Sequence, residues 1–448
     1  MMSEKKKVSE FEINEYLTLR QDEEGKTIIY VAGKLFRNCK YLLINIPVEE
    51  VRSLDEIESI DEAAENLDKS LEPLRSRKQF KYTIPPEVEF WGHCSNLQVW
   101  YENGYNTRLL HANLAFPLLR ALARVGDSQA KRIFKEEVAE RYNSGIETVR
   151  KYIRSMHYLS DLSIEEFLGL IENDTDREVI EQLRKAYPRF EKNDMGSSML
   201  KLNIDIKRGR VSRLDLGGLE FGQIPECIRE LTSLEFLSVL YDQLDSLPEW
   251  IGELKALKTL KIDNNPLKTL PESIGNLQNL EELYAEKSQL ETLPDSIGNL
   301  KSLKILVLYK NRLEKLPDAI GNLPNLEKLD LHENKLNNLP QSIGNLKNLN
   351  ELVLNKNKLT DLPNSIVNLI ALKKLDLGSN NINNLTPPIY KLKNIEALSI
   401  SDNPIFKLPE SIYFLKNLRK LYIGNTHLRK DLIFLGDFKS KLLTIYDY

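Results

Sequence analysis

Cysteine is scarce in this 448-residue chain: Cys39, Cys94 and Cys227 are the whole complement, odd in number and scattered. That excludes a disulfide framework, and no C-x-x-C or H-x-x-x-H spacing offers metal ligands. No run of 18 apolar residues occurs, so no transmembrane helix is expected. The opening MMSEKKKVSEFEINEY has no apolar core of a signal peptide, and a reducing cytosol is the expected location. Strong charge of one sign is also missing. The net charge is −4; residues 1–200 carry 29 basic and 35 acidic side chains, and the remainder 33 and 31. Neither half has the basic excess of a nucleic-acid binder. Phosphate-cradling G-x-x-x-x-G-K-[ST] and G-x-G-x-x-G loops are absent, as is a G-x-S-x-G nucleophile turn.

What is present is a beat. Units begin at Val211, Leu234, Leu257, Leu280, Leu303, Leu326, Leu349, Leu372, Ile395 and Leu418, each 23 residues after the last. In the fifth, Leu303, Leu306, Leu308, Asn311, Leu313, Leu316, Pro317, Ile320 and Leu323 hold the pattern. Leu306 and Leu308 lie two apart, so a strand points both to one face and Val307 and Tyr309 to the other. A single unit cannot bury its leucines alone; stacked units bury each other's, at about 1.5–3 kcal/mol per side chain. An asparagine column follows the strands at Asn265, Asn311, Asn334, Asn357, Asn380 and Asn403, where a buried amide can bond the backbone groups freed by the turn. Asp242, Ser288 and Thr426 replace it. Each has fewer bonding options, and local loosening is expected near Ser288. A proline column from Pro225 to Pro409, broken at Thr386, and an isoleucine column from Ile228 to Ile412 predict short turns on the opposite side.

These residues resemble the leucine-rich repeat superfamily, in its intracellular LPxxIGxLxxLxxLxLxxNxL form. The resemblance implies an α/β solenoid of about ten 23-residue repeats with a parallel concave sheet, and no particular activity. Extracellular members often carry cysteine-rich caps, which are not visible here. Residues 30–160, through GKLFRNCKYLLINIP, FWGHCSNLQVWYENGYNTRLLHANLAFPLLRAL and AKRIFKEEVAERYNSG, resemble a module that precedes such repeats in a group of archaeal proteins and implies no assigned chemistry.

The expected organisation is a disordered tail over 1–10, an α+β, mostly helical N-terminal domain over 11–192, and a linker with an N-terminal cap over 193–210. Repeats follow over 211–430 and a C-terminal cap over 431–448. EYLTLRQ and TIIYVAGKLF predict a hairpin turning at Asp22–Lys26, with a third strand at 40–48 and acidic helix over 51–74. Residues 87–102 predict a largely buried aromatic helix; Pro117 is expected to break the next one near Phe116. A helix opens at Gly126-Asp127 and another spans 146–158. Ser163-x-x-Glu166 and Thr175-x-x-Glu178 read as capping boxes, and 199–207 as a capping helix.

His93, Cys94 and His111, with Cys39 upstream, could make a zinc or thiol site in an enzymatic reading with the repeats choosing substrate. Adjacent helical residues point about 100° apart, which suits a packed core cluster better. A ligase domain following the repeats, as in some repeat-bearing effectors, does not fit in the few residues after Leu428. No catalytic residue, cofactor or metal is expected. The outward columns of the concave sheet remain. Tyr284, Ile305, Val307 and Tyr309 are expected to form an exposed apolar-aromatic patch rimmed by Lys261, Glu286, Lys310, Lys328 and Asp330, with His332 and Val353 alongside. Phe236, Leu240 and Tyr241 predict a second patch. The expected function is a non-catalytic scaffold binding a protein partner there, with no nucleic-acid or membrane partner and no oligomeric state implied; regulation of a small GTPase rests on analogy alone.

Overall fold

The computed structural model describes residues 9–36, 85–110, 112–144, 146–191, 203–385, 389–408, 412, 414–430 and 444–446. The chain divides into two compact units, Met1–Ser163 and Ile164–Tyr448. That division falls ahead of the expected 192/193 boundary.

In the first unit, Glu10–Glu12, Leu17–Gln21, Thr27–Val31 and Lys34–Leu35 form an antiparallel sheet in chain order. The predicted turn at Asp22–Lys26 joins its middle strands, closed by the Asp22 carboxylate accepting from the Lys26 amide at 2.7 Å. The strand at 40–48 and the helix at 51–74 lie outside the described residues. Helix Pro86–Glu102 buries Phe90, Cys94, Leu97 and Trp100. It is only half-buried, however, because Trp91 and Val99 are 55% and 43% exposed. Pro117 does not break its helix, which runs Ala112–Val125. Proline removes one helical bond there, while Leu114, Leu118, Leu119 and Leu122 are fully or almost fully buried and hold the segment. Helix Ser128–Asn143 opens at Asp127, whose side chain accepts from the Ala130 amide at 2.9 Å. Glu147–Ser155 follows.

The second unit starts with helices Ile164–Leu168, Asp174–Ala186 and Pro188–Glu191. The middle one is capped by Asn173, not by a box at Thr175: the Asn173 amide oxygen accepts from the Asp176 amide at 2.9 Å, starting the helix earlier. Of the helix expected over 199–207, residues 199–202 lie outside the described residues; Ile204–Lys207 is instead a strand, antiparallel to Arg210–Asp215. Ile204 and Ile206 alternate inward with period two, and Arg208-Gly209 supplies the two positive φ angles of a tight hairpin. Asp176 ties helix to hairpin. Fully buried, it takes the Arg210 guanidinium through two 2.9 Å bonds and the Val211 amide at 2.8 Å.

From Arg210–Asp215 onward, eleven parallel strands among the described residues continue one sheet to Thr444–Tyr446. Ten fall in 23-residue register; the last is offset by 24, pairing Lys420 with Thr444. The opposite side is a column of five-residue 3-10 turns, such as Asp295–Asn299 and Asp318–Asn322, each opened by its proline. Leu306, Leu308, Leu313, Ile320 and Leu323 are fully buried, and so are their counterparts in neighbouring units. Gly252, Gly275, Gly298, Gly321 and Gly344 let each turn sit on the next. A β-carbon there would approach the following unit's carbonyl oxygen to 2.3–2.5 Å.

The asparagine column does what its position implies. Asn265 accepts from the Asp242 and Leu244 amides at 3.0 and 3.1 Å and donates to the Val239 and Ile262 carbonyls at 2.7 and 2.9 Å. Asn311, Asn334, Asn357, Asn380 and Asn403 repeat the pattern. Ser288 reaches only the Glu286 carbonyl, at 3.4 Å.

Candidate functional site on the concave sheet

Each concave strand shows two side chains outward around one buried leucine, as in Glu282-Leu283-Tyr284. Parallel register then stacks equivalent residues about 4.8 Å apart. One row runs Ser238, Lys261, Tyr284, Val307, Asp330, Val353. The result is a continuous strip in which every ring meets a charged or ring neighbour. The Arg213 guanidinium lies 3.5 Å above the Phe236 ring. Lys261 Nζ reaches over both Phe236 and Tyr284, at 5.9 and 4.8 Å. Lys287 Nζ is 5.8 Å from the Tyr309 ring, which stacks on His332 at 4.3 Å with 9° between planes.

Carboxylates fix the polar ends. The Tyr309 hydroxyl donates to Glu286 at 2.7 Å and the Tyr284 hydroxyl to Glu282 at 3.2 Å. His332 Nδ1 pairs with Asp330 at 2.6 Å. Asp263 is nine-tenths buried beneath this layer and accepts from the Glu286 amide at 2.9 Å. Burial pushes its carboxyl up to about 6, against the lowering effect of that bond. Burial and then Glu282 push the Tyr284 hydroxyl up to about 12, and burial and then Glu286 raise Tyr309 as well. Lys328 lies 3.7 Å from Glu351, which pairs with Lys374 at 2.7 Å.

The patch differs from the expected one in its heights. Val307 and Val353 are 6% and 7% exposed. Val307 stands in register between Tyr284 and Asp330, so its shorter side chain is shaded by both. The exposed surface at its centre belongs to Tyr284, Ile305, Tyr309 and His332, all part-exposed, with Lys261, Glu286, Lys328 and Asp330 around them. Phe236 and Leu240 are also part-exposed and join this strip at its N-terminal end. Tyr241 does not: 59% exposed with φ 60°, it sits on the turn after the strand. Lys310, in the equivalent turn position with φ 55°, pairs with Glu333 at 3.6 Å. Arg213, Glu282, Asp263 and Lys287 complete the strip but were not anticipated as site residues. Asp263 follows Leu240 and precedes Glu286 by 23, so spacing places it in their outward column, although its side chain is buried.

Among the described residues, the N-terminal candidates His93 and Cys94 form no comparable constellation. Cys94 is 1% exposed, and burial pushes its thiol up to about 11, far from a reactive thiolate. His93, 4% exposed, lies 3.4 Å from Glu89, and burial lowers its pKa. His111 and Cys39 lie outside the described residues. Among the described residues, no three His, Cys, Asp or Glu side chains are grouped to hold a metal ion. No described helix is long and apolar enough to cross a membrane.

Residues 210–311 and 295–380 match the leucine-rich repeat region family, and 370–428 match the leucine rich repeat family. No curated protein matches the chain significantly. Solved structures that resemble it include the leucine-rich repeat ectodomain of the Arabidopsis thaliana receptor kinase GASSHO1/SCHENGEN3. That likeness has 31% identity over 49% of this chain and 30% of that one, with a TM-score of 0.44. The Arabidopsis receptor kinase HAESA, in complex with a peptide hormone and a co-receptor, is 26% identical over 57% and 46%, with a TM-score of 0.49. A Leptospira interrogans leucine-rich repeat protein is 28% identical over 53% and 84%, with a TM-score of 0.28. This chain therefore spans less than half the length of either plant chain. With the 23-residue register, the asparagine ladder and these family matches in agreement, residues 210–428 form a leucine-rich repeat array.

Proposed function

We propose that the chain is a non-catalytic interaction scaffold whose concave sheet binds a partner protein. The observation that supports this most is the strip from Phe236 to His332. Part-exposed rings of three aromatic types stand in register on a rigid sheet, inside a polar rim. Such anchors lose little conformational freedom on contact and combine apolar area with hydrogen-bonding ends. Strands held by buried leucines and amide ladders keep the strip fixed before a partner arrives, which lowers the ordering penalty of binding. Use in a reducing cytosol belongs to the same proposal and draws on the free Cys94 and Cys227.

The direct test replaces Tyr284, Tyr309 and Lys261 by alanine together. These side chains are part-exposed and their backbones unchanged by the substitution, so thermal unfolding is expected to shift by no more than a few degrees. Loss of the partner captured by the unaltered chain, at least about tenfold in affinity, is the expected result. A variant that folds and retains its partner at full affinity contradicts the assignment.

A further inference from the structure

The first unit carries two clefts that flank Arg120 and Arg124 on helix Ala112–Val125. One, of about 380 Å³, has an apolar floor that includes Val31, Pro117, Ala121 and Val125, with Lys34 and Arg124 at its lining. The other, of about 220 Å³, adds Lys131 and Lys135. Across the two linings five cations face one carboxylate, Asp161. Residues 1–163 as a whole carry 24 basic and 26 acidic side chains, so this local excess is not a property of the unit.

Asp161 does not neutralise the group evenly. It pairs with Arg120 at 2.6 Å and stands 3.9 Å from Arg124. Arg120 is further committed to the Met156 and His157 carbonyls, at 3.1 and 3.2 Å. Its role is to fix the cleft wall. Arg124, by contrast, has a side chain 64% exposed, and Lys34 is exposed. Leu35 beside it is a large apolar side chain 46% exposed to water.

An apolar floor favours a ligand with hydrocarbon to bury, and two solvent-held cations above it favour an anionic end. We propose that the larger cleft binds an amphipathic carboxylate, a small molecule with an alkyl or aryl body, and that Arg124 and Lys34 hold its head group. The body lies on Pro117 and Ala121, and the planar guanidinium of Arg124 matches a carboxylate with two parallel donors. This site is independent of the concave sheet, and neither proposal depends on the other.

Titration calorimetry on the full chain tests it with dodecanoate, kept below its micelle-forming concentration, and dodecyltrimethylammonium, which has the same chain length and opposite charge. The expected result is one-to-one binding of dodecanoate and none of the cation. Arg124→Glu with Lys34→Glu, both exposed, should weaken dodecanoate by about tenfold or more without changing the unfolding temperature appreciably. Ala121→Trp should fill the floor and abolish binding; if that variant fails to fold, the charge-reversed pair still decides. Equal binding of both amphiphiles, unchanged affinity in the charge-reversed variant, or no dodecanoate binding each overturns the proposal. An acidic peptide that binds where dodecanoate does not counts among those contradicting results.

Discussion

Asp242 stands where six other units place asparagine, and it is completely buried. One carboxylate oxygen accepts from the Glu220 amide at 2.9 Å; the other is buried with no hydrogen-bond partner. Burial pushes this carboxyl up to about 7, with Asp215 adding to the rise and the amides of Glu220, Leu219 and Gly218 opposing it. A raised acid keeps its proton in the folded state while the unfolded chain releases it. The stabilisation is therefore whole below the ordinary carboxyl range near pH 4, wanes as pH climbs toward 7, and is gone above it. Protonated, Asp242 imitates the amide of its column; ionised, it is a buried charge. Asp242→Asn should thus be nearly neutral at pH 4 and more stable than the natural chain by about 2–4 kcal/mol at pH 8. Denaturant unfolding across that range checks it, and parallel pH profiles for the two proteins would refute it. The substitution of Asn by Asp at this place was plain in the sequence. The orphaned oxygen was not, because it depends on which amides the neighbouring unit presents.

At the scale of elements, the glycine column decides how closely successive 3-10 turns stack. Gly298 has no need of an unusual φ; its constraint is steric, since a β-carbon would meet the Ala319 carbonyl at 2.5 Å and the Ala319 β-carbon at 3.0 Å. Gly298→Ala should lower stability by about 1–3 kcal/mol. Val367 holds the same column position one unit beyond Gly344, so that unit already accommodates a side chain. Val367→Ala, part-exposed, should change stability by less than about 1 kcal/mol. Chemical unfolding of both variants compares them, and an equal loss would show that the column does not set the stacking distance. Elements governed by this repetition were legible from residue spacing: the strands, the proline-opened turns and the asparagine bonds all follow from 23-residue arithmetic. Where the beat stops, local sequence says less about structure. At Ile204–Lys207 no neighbouring unit discloses the period-two alternation of a strand, and Asn173 fills the cap that the spacing assigns to Thr175. Pro117 does not break its helix because packing around Leu114, Leu118 and Leu122 outweighs one missing bond.

In the molecule as a whole, a rigid repeat array carries an aromatic strip proposed as its recognition surface. Row assignments on the concave sheet could be counted from the sequence, and the register confirms them from Phe236 to Val353. Exposure could not be counted, because it depends on the height of each neighbour: Val307 sinks between Tyr284 and Asp330, while Tyr309 rises to stack on His332. Asp263 shows the same effect: spacing puts it in the outward column with Leu240 and Glu286, yet its carboxyl is buried beneath the layer above. The claim on which the rest depends is that this strip meets another protein. Hydrogen exchange of the chain alone and with its captured partner measures that most directly. Protection is predicted to rise at strands Glu282–Tyr284, Ile305–Val307 and Lys328–Asp330 and at the turns directly after them, with the 3-10 turns unchanged. Protection confined to the 3-10 turns or to residues before Ser163, with the strand turns exchanging as in the free chain, would contradict it.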